Sequence, residues 1–215
     1  TNPLENMERG KYGRNKENRL IASGNAIITF IPEKLSLKST FTIDRRNALK
    51  TTFLDPVSSA WGRQNYGQAS DERNQNTVLT FDNVATYNER FGKHGLEVMA
   101  GASWTDSDYR NSWINGSHFR DSIIQTLNAA NKIAWDNTGT SASLRGITSY
   151  FGRSSYHYDS KYLLTANIRM DGSSKFHPEH SWATFPSFSA AWRISSASFL
   201  TVLDWLDHLK LPGGW

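Results

Sequence analysis

The chain has 215 residues, of which 38% are hydrophobic and 20% are charged, and it contains no cysteine. This composition excludes an intrinsically disordered chain, and the lack of cysteine excludes a disulfide framework or a thiolate metal site. The net charge of +4 is scattered along the chain rather than clustered, which argues against a nucleic-acid-binding protein.

Alternation of apolar and polar side chains, which is typical of a β-strand, begins near the N-terminus. Thr1 to Glu17 is polar and aperiodic and is interpreted as a loop, whereas Asn18 to Ile31 has a strand pattern. The longest apolar run of the chain, Ala26 to Ile31, is far shorter than the ~20 residues of a membrane-spanning helix. Because proline donates no ladder hydrogen bond, Pro32 ends this strand, and Leu35 to Asp44 forms the next one.

Polar connections separate the strand patterns that follow. Arg45 to Asn74 is predicted to be a long loop, of a length that compact soluble domains rarely contain. Thr77 to Tyr87 is strand-like, although Asn83 falls on its otherwise apolar face. A short turn from Asn88 to Lys93 then leads into a clear strand pattern from Gly95 to Tyr109.

A second long connection, Arg110 to Arg145, is rich in Asn, Ser and Thr. Apolar residues at helical spacing inside it are compatible with a short helix between Phe119 and Ala134. Near the C-terminus, Ala197 to His208 is predicted to be a short helical linker, and Leu209 to Trp215 starts another strand.

The stretch from Ser149 to Ser195 carries three consecutive strand patterns. On the middle strand, apolar residues such as Leu164 and Ile168 alternate with polar ones, so one face is apolar and the other polar. A tight turn from Asp159 to Lys161 joins this strand to the one before. Aromatic residues crowd both sides of the turn, as they do at a membrane interface.

The patterns add up to about eight strands in which short turns alternate with long loops. The short turns lie at Pro32, Phe91 and Asp159, and the long connections are Arg45 to Asn74, Arg110 to Arg145 and the smaller Asp171 to Ser181. Transmembrane barrels have short periplasmic turns and longer extracellular loops. The chain is therefore predicted to be all-β, an antiparallel transmembrane β-barrel segment of a larger barrel, with its short turns in the periplasm.

Short motifs within this region resemble a known family in their order and spacing. These motifs are SYFGR, KYLLTA, DGSSKF and WATFPSFSAAWRIS, within about Gly146 to Leu211. They are similar to the barrel of the SusC/RagA-type TonB-linked outer-membrane proteins. The resemblance is strong over roughly a third of the chain and faint before it.

The resemblance implies a plugged barrel of about 22 strands in the outer membrane of a Gram-negative bacterium. It also implies coupling to TonB, a SusD-like surface lipoprotein as partner, and a glycan or peptide as ligand. The chain is then expected to be a partial barrel domain, residues 1–215, without the plug domain and TonB box. No signal peptide is recognised at Thr1 to Gly10, and Pro212 replaces an Arg that usually precedes the small residues of that strand.

Three groups of residues are candidates for sites. Tyr156, Tyr158, Tyr162 and Trp192 are predicted to lie at the membrane interface. Lumen-facing charges, which would meet either substrate or a plug, are predicted at Lys38, Asp44, Arg153, Arg169, Asp171 and Arg193. Trp61, Trp113 and Trp135 are placed in the long loops, where an indole either stacks on a sugar ring or anchors the loop by packing.

No catalytic or cofactor motif is found, and the chain is not predicted to be an enzyme. His177, Glu179 and His180 lack the spacing of a helical zinc motif, and Asp106 and Asp108 lack the rest of a calcium loop. Asp204, Asp207 and His208 are interpreted as caps and solvated charges of the linker. No metal and no cofactor is therefore expected.

The favoured hypothesis is a part of a TonB-dependent outer-membrane importer of oligosaccharides or peptides. A secreted all-β glycan-binding module is the first alternative, with the loop tryptophans as its site. A passive porin is the second, and it is disfavoured by the resemblance of the motifs to an energised family.

Overall fold

The computed structural model describes residues 13–57, 60–194 and 209–215. In this part of the chain, nine strands form a single sheet. They are β1 (Arg14–Ile31), β2 (Leu35–Leu54), β3 (Gln68–Phe91), β4 (His94–Phe119), β5 (Ala130–Ile133), β6 (Gly139–Tyr158), β7 (Tyr162–Ser173), β8 (Trp182–Arg193) and β9 (Lys210–Gly214). One short helix, α1, spans Ala60–Gln64. No helix in the described residues is long and apolar enough to cross a membrane.

The sheet is an antiparallel meander. The strand order is β1-β2-β3-β4-β6-β7-β8-β9, and the short strand β5 pairs with β4 beside this path. Consecutive strands are therefore neighbours, as the alternation of strand patterns and turns predicts. The predicted all-β antiparallel fold is confirmed, and its eight main strands match the predicted number.

The chain divides into two compact units, which we call the loop unit and the turn unit. The loop unit comprises Thr1–Ala22, Ile43–Val78 and Ser107–Leu144. The turn unit comprises Ser23–Thr42, Leu79–Asp106 and Arg145–Trp215.

Three tight turns in the turn unit confirm the predicted short connections. In the first, Lys34 N donates to Ile31 O at 3.1 Å and Glu33 has a φ of 61°. Gly92, in the second, has a φ of 61°. In the third, Asp159 and Ser160 have φ values of 48° and 53°, which suit a two-residue turn whose twist matches that of the strands.

Backbone hydrogen bonds connect these turns to their neighbours across the sheet. Asn88 N donates to Lys34 O, Asp159 N to Lys93 O, and Arg193 N to Lys161 O, each at 2.7 Å. The turns therefore lie side by side along one edge of the turn unit.

Strands in the loop unit are longer than predicted. Arg45 to Asn74 is not a loop, since β2 extends to Leu54 and β3 begins at Gln68. The hydroxyls of Thr52 and Ser70 lie 2.5 Å apart across these two strands. Because these strands carry polar residues on both faces, their sequences show no apolar–polar alternation and are not recognised as strands. The backbone hydrogen bonds between the strands form regardless of side-chain polarity.

The second long connection is also shorter than predicted. β4 continues to Phe119 and β6 begins at Gly139, so only residues 120–138 connect these strands. The predicted helix from Phe119 to Ala134 is wrong, because this segment contains one 3-10 turn, Leu127–Ala129, and then β5. At the N-terminal side, β1 begins at Arg14, so part of the predicted loop Thr1 to Glu17 is strand.

A small core holds the connections of the loop unit. Phe53, Ala69 and Phe119 are the buried hydrophobic residues among those described. The rings of Phe53 and Phe119 meet edge to face at 5.1 Å, and Leu127 packs against this cluster. The predicted linker from Ala197 to His208 lies outside the described residues.

Candidate functional site

The turn unit has one apolar face that no described residue covers. On β7, Leu164 is paired with Tyr156 of β6 and Ala190 of β8, while Ile168 is paired with Gly152 and Pro186. Leu164 is 42% exposed and Ile168 50% exposed. Residues paired across neighbouring strands share a face, so these side chains form a continuous surface, which we call the apolar face.

One row of aromatic rings lies on the apolar face beside the turns. His94 Nδ1 lies 2.6 Å from the Tyr156 hydroxyl, and the His94 ring is 4.9 Å from that of Tyr158. The rings of Tyr162 and Trp192 stack at 6.3 Å. All four aromatic residues predicted at the membrane interface belong to this turn-edge row, together with Phe91 and His94.

A second row of rings crosses the same unit. Phe81 stacks on Trp104 at 6.1 Å, Trp104 meets Tyr150 edge to face at 6.5 Å, and Tyr150 stacks on Trp182 at 5.9 Å. Gly172 makes the last contact possible, because a Cβ there would stand 2.8 Å from the Trp182 ring. Sequence patterns alone do not indicate this distal row, because its four rings come from four different strands.

The separation of the two rows is close to the height of the apolar band of a transmembrane barrel. Phe81 and Phe91 are ten residues apart on β3, as are His94 and Trp104 on β4, and Tyr150 and Tyr158 are eight apart on β6. These separations correspond to about 27 to 34 Å along a strand. Strands tilted by about 40° would then place the rows about 20 to 26 Å apart, close to the ~25 Å apolar band of transmembrane barrels.

A hydrogen-bonded pair explains the polar residue on the apolar face. Asn83 shares this face with Phe81, since alternate residues of a strand point the same way. The Ser39 hydroxyl donates to Asn83 Oδ1 at 2.6 Å, so the hydroxyl and the amide oxygen satisfy each other. The interruption that makes this strand pattern ambiguous in the sequence is therefore a cross-strand contact.

The opposite, polar face of β7 contains two of the residues predicted to face a lumen. Arg169 Nε lies 2.9 Å from Asp171 Oδ2, and its terminal nitrogen donates to the Ser149 hydroxyl at 3.2 Å. The Arg169 guanidinium also lies 5.9 Å from the centre of the Phe151 ring. This pair is held in place by contacts on three sides.

The other predicted lumen residues are spread over several strands. Arg153 donates to the Ser155 hydroxyl at 3.1 Å, and Lys38 is exposed. Asp44 belongs to the loop unit, where Arg19 binds its carboxylate at 2.6 Å. Arg193 is a register partner of Lys210. The structure thus brings Arg169 and Asp171 together and leaves the others apart.

A recess of about 700 Å³ lies near the turns of the turn unit. Arg153 lines it, together with Glu97 and residues of three other segments. His157 lies directly over Gly95, where any side chain would collide with the imidazole. The His157 Nδ1 atom is buried without a hydrogen-bond partner among the described residues.

The three candidate tryptophans lie on three different elements. Trp61 is in α1, where it is 46% exposed and its indole nitrogen donates to Gln68 at 3.3 Å. Trp135 is 78% exposed in a 3-10 turn. The prediction that Trp113 lies in a loop is wrong, because it lies within β4, where a Cβ at Gly139 would be 3.0 Å from its ring.

No cluster of three or more potential metal ligands occurs within the described ranges. His177, Glu179 and His180 lie at a 3-10 turn between β7 and β8, and Asp106 and Asp108 lie on β4. Asp204, Asp207 and His208 fall outside the described residues.

TonB-dependent receptors resemble this chain over most of its length. No protein-family model matches it. A TonB-dependent receptor of Formosa agariphila is 32% identical over 96% of the chain. The TonB-dependent receptor SusC of Bacteroides thetaiotaomicron is 30% identical over 86% of it. This chain belongs to the SusC-type TonB-dependent receptors.

Solved structures of such receptors have the same fold. The RagAB peptide importer in its open-open state superposes with a TM-score of 0.81 at 20% sequence identity, over 95% of the chain. The chain spans about a fifth of the length of these relatives, 21% of the Formosa receptor and 23% of the RagAB chain. The relatives are named as receptors and importers rather than enzymes, and the predicted location in the outer membrane is confirmed.

Proposed function

We propose that the chain forms part of the wall of an energised importer of oligosaccharides or peptides. The observation that carries this proposal is the exposed apolar face of the turn unit. Two aromatic rows bound this face, and the distance between them is close to the height of the apolar band of a transmembrane barrel. An uncovered apolar face of this size favours contact with lipid over exposure to water. The names of the relatives, SusC and the RagAB peptide importer, support the transport of a nutrient.

Residues 1–215 are, in this proposal, one segment of a barrel domain. The plug and the TonB box are supplied by other parts of the complete receptor, since the relatives are about five times longer than the matched region. A SusD-like lipoprotein closes the extracellular side, and the short turns point to the periplasm. The relative SusC and the RagAB complex support a lipoprotein partner of this kind.

The candidate residues take roles that follow from their faces. The turn-edge row sits at the periplasmic membrane interface, and the polar face with Arg153, Arg169 and Asp171 lines the lumen. The recess next to His157 then faces the lumen and accepts a group from the plug or from the cargo. Trp61 and Trp135 are the two exposed indoles available to a ligand on the extracellular side.

Contact with lipid is tested by single-cysteine labelling, for which the absence of cysteine makes the chain well suited. An environment-sensitive fluorophore is attached to Ile168→Cys on the apolar face and, as the matched control, to Asn167→Cys on the polar face. In bilayers containing brominated lipid, we expect quenching at position 168 and little at 167. Equal quenching at both positions would contradict the proposal that the apolar face is the lipid-facing side of a barrel wall.

Energised import is tested in the bacterium that produces this receptor. Uptake of labelled oligosaccharides and peptides is measured with the gene deleted and restored, in the presence and absence of a protonophore. Uptake that needs both the gene and the proton-motive force supports the proposal. Gene-dependent uptake that persists with the protonophore identifies a passive porin, and a detergent-free monomer that binds glycan identifies a secreted module.

A further inference from the structure

A trench of about 770 Å³ crosses five strands of the loop unit. Side chains from β1, β2, β3, β4 and β6 line it, and all of its charged side chains are cationic: Lys16, Arg73 and Arg110. No carboxylate lines it. This composition differs from that of the turn-unit recess, in which acidic and basic residues alternate.

Strand alternation places Arg73 and Arg110 on the same face. The Tyr109 hydroxyl donates to Asn74 Oδ1 at 2.8 Å, so the side chains of Tyr109 and Asn74 share one face of β3 and β4. The residues next to them in sequence, Arg73 and Arg110, therefore point to the opposite face.

The same reasoning applies to Lys16 on β1. Its neighbour Glu17 accepts a hydrogen bond from Arg46 at 2.6 Å, and Arg46 lines a separate cavity together with Asn74 and Tyr109. Glu17 and Arg46 thus compensate each other on that face. Lys16 points the other way and forms no ion pair within the described part of the chain.

Asp71 and Asp108, on the same strands, each bind one of the two arginines and leave some of its N–H donors unused. Arg73 contacts Asp71 through Nε at 3.2 Å, which leaves both terminal amino groups of its guanidinium unused. Arg110 contacts Asp108 through Nε at 3.2 Å and through one terminal nitrogen at 3.0 Å. Because Lys16 adds a positive charge to these two ion pairs, the net charge of the trench region is positive, and unused N–H donors are available to bind an anion.

Hydrogen-bonding groups fill the rest of the trench. Gln75, Ser112 and Thr140 offer amide and hydroxyl groups, and no aromatic ring lines the surface. Amides and hydroxyls match the hydroxyl groups of a sugar, while the cations match a carboxylate, sulfate or phosphate on it. We propose that this trench binds an anionic saccharide through Lys16, Arg73 and Arg110.

Such a saccharide has two possible sources with the same chemistry. One is a soluble acidic oligosaccharide that binds from the medium. The other is the headgroup of lipopolysaccharide in the surrounding outer membrane. Binding is measured directly and without transport, so failure of the trench and failure of the importer are distinguishable.

The experiment uses the complete receptor that contains this chain, reconstituted in phosphatidylcholine nanodiscs. Calorimetry compares tetragalacturonate with neutral maltotetraose at low and at physiological ionic strength. A second arm uses nanodiscs that contain lipopolysaccharide and measures its retention by native mass spectrometry. The variants are R73Q/R110Q in the trench and R45Q/R120Q as the charge-matched control, since Arg45 and Arg120 are exposed and do not line the trench.

We expect the anionic saccharide to bind at least about tenfold more tightly than the neutral one, and R73Q/R110Q to remove at least about tenfold in affinity, as the loss of charge-assisted hydrogen bonds implies. Added salt should weaken binding. Selective binding of tetragalacturonate supports the proposal with a soluble saccharide as the source, and selective retention of lipopolysaccharide supports it with the headgroup as the source. Equal affinity for both tetrasaccharides with no retention of lipopolysaccharide, or an equal loss in R45Q/R120Q, overturns it.

Discussion

An arginine at the centre of the apolar face should destabilise the protein far more than one at the next residue. Ala166 pairs with Ser154 and Phe188 and lies four residues from Tyr162 in the turn-edge row. It is also four residues from Met170, which pairs with Tyr150 of the distal row. Ala166 is therefore close to the middle of the membrane-spanning part of β7.

The expected cost follows from this depth. An arginine on the lipid face of a barrel costs roughly 2 to 4 kcal/mol at the bilayer midplane and little near the interface. Ala166→Arg should therefore lower the folding equilibrium constant by roughly 30-fold to 1000-fold. Asn167→Arg places the same side chain on the polar face, where the loss of the hydrogen bond from Asn167 to Ser187 should lower the free energy of unfolding by about 0.5 to 1.5 kcal/mol.

Urea titration of the complete receptor in phospholipid bilayers, followed by tryptophan fluorescence, measures both variants under the same conditions. A common denaturant slope for wild type and variants shows that the midpoints compare stability. If Ala166→Arg and Asn167→Arg unfold at the same urea concentration, then the apolar face does not contact lipid, and the transmembrane assignment of the turn unit is refuted.

Three further changes test the distal row and the third turn. Gly172→Ala should lower the free energy of unfolding by about 1 to 3 kcal/mol, because the added Cβ would stand 2.8 Å from the Trp182 ring and displace that ring from Tyr150. The urea midpoint and the tryptophan emission measure this effect. Ser160→Gly should raise the free energy of unfolding by about 1 kcal/mol. Ser160 has a left-handed φ of 53°, a backbone conformation that is strained for serine and not for glycine. Hydrogen bonding from Lys161 lowers the pKa of Asp159. This pair therefore stabilises the folded protein above the ordinary carboxyl pKa, and the stabilisation is lost as the pH falls through the lowered pKa of Asp159. Asp159→Asn should remove this pH dependence of the free energy of unfolding.

Each of these changes has a matched control. Gly24→Ala adds the same methyl group on β1 where no atom lies within 4 Å, so it should not reduce stability. Ser154→Gly lies in the middle of β6, where glycine should destabilise rather than stabilise. Asp136→Asn, in a segment where this residue forms no ion pair with any described residue, should leave the pH profile unchanged. A loss in Gly24→Ala equal to that in Gly172→Ala would reject the ring contact as the cause.

Sequence patterns were sufficient where one face of a strand is apolar. The alternation around Leu164 and Ile168, the turn at Asp159 and the aromatic residues beside it were all predicted, because each depends on residues close together in the chain. Four short motifs in order were enough to indicate the family, which the relatives confirm.

Patterns failed in the loop unit for a physical reason. There the strands carry polar residues on both faces, so Arg45 to Asn74 and the region around Trp113 look like loops although they are paired strands. What holds them is the backbone ladder and contacts such as that between Thr52 and Ser70, which join distant parts of the chain. Local periodicity contains no information about either.

The sequence alone therefore determined the class of fold, the short turns and the apolar face, since these follow from side-chain period and turn chemistry. Only the tertiary structure decided which distant residues meet: the distal aromatic row, the Ser39–Asn83 pair and the cationic trench. Each of these depends on strand register. Register is fixed by pairing across the whole sheet, and a slip of one residue would send every side chain of a strand to the opposite face.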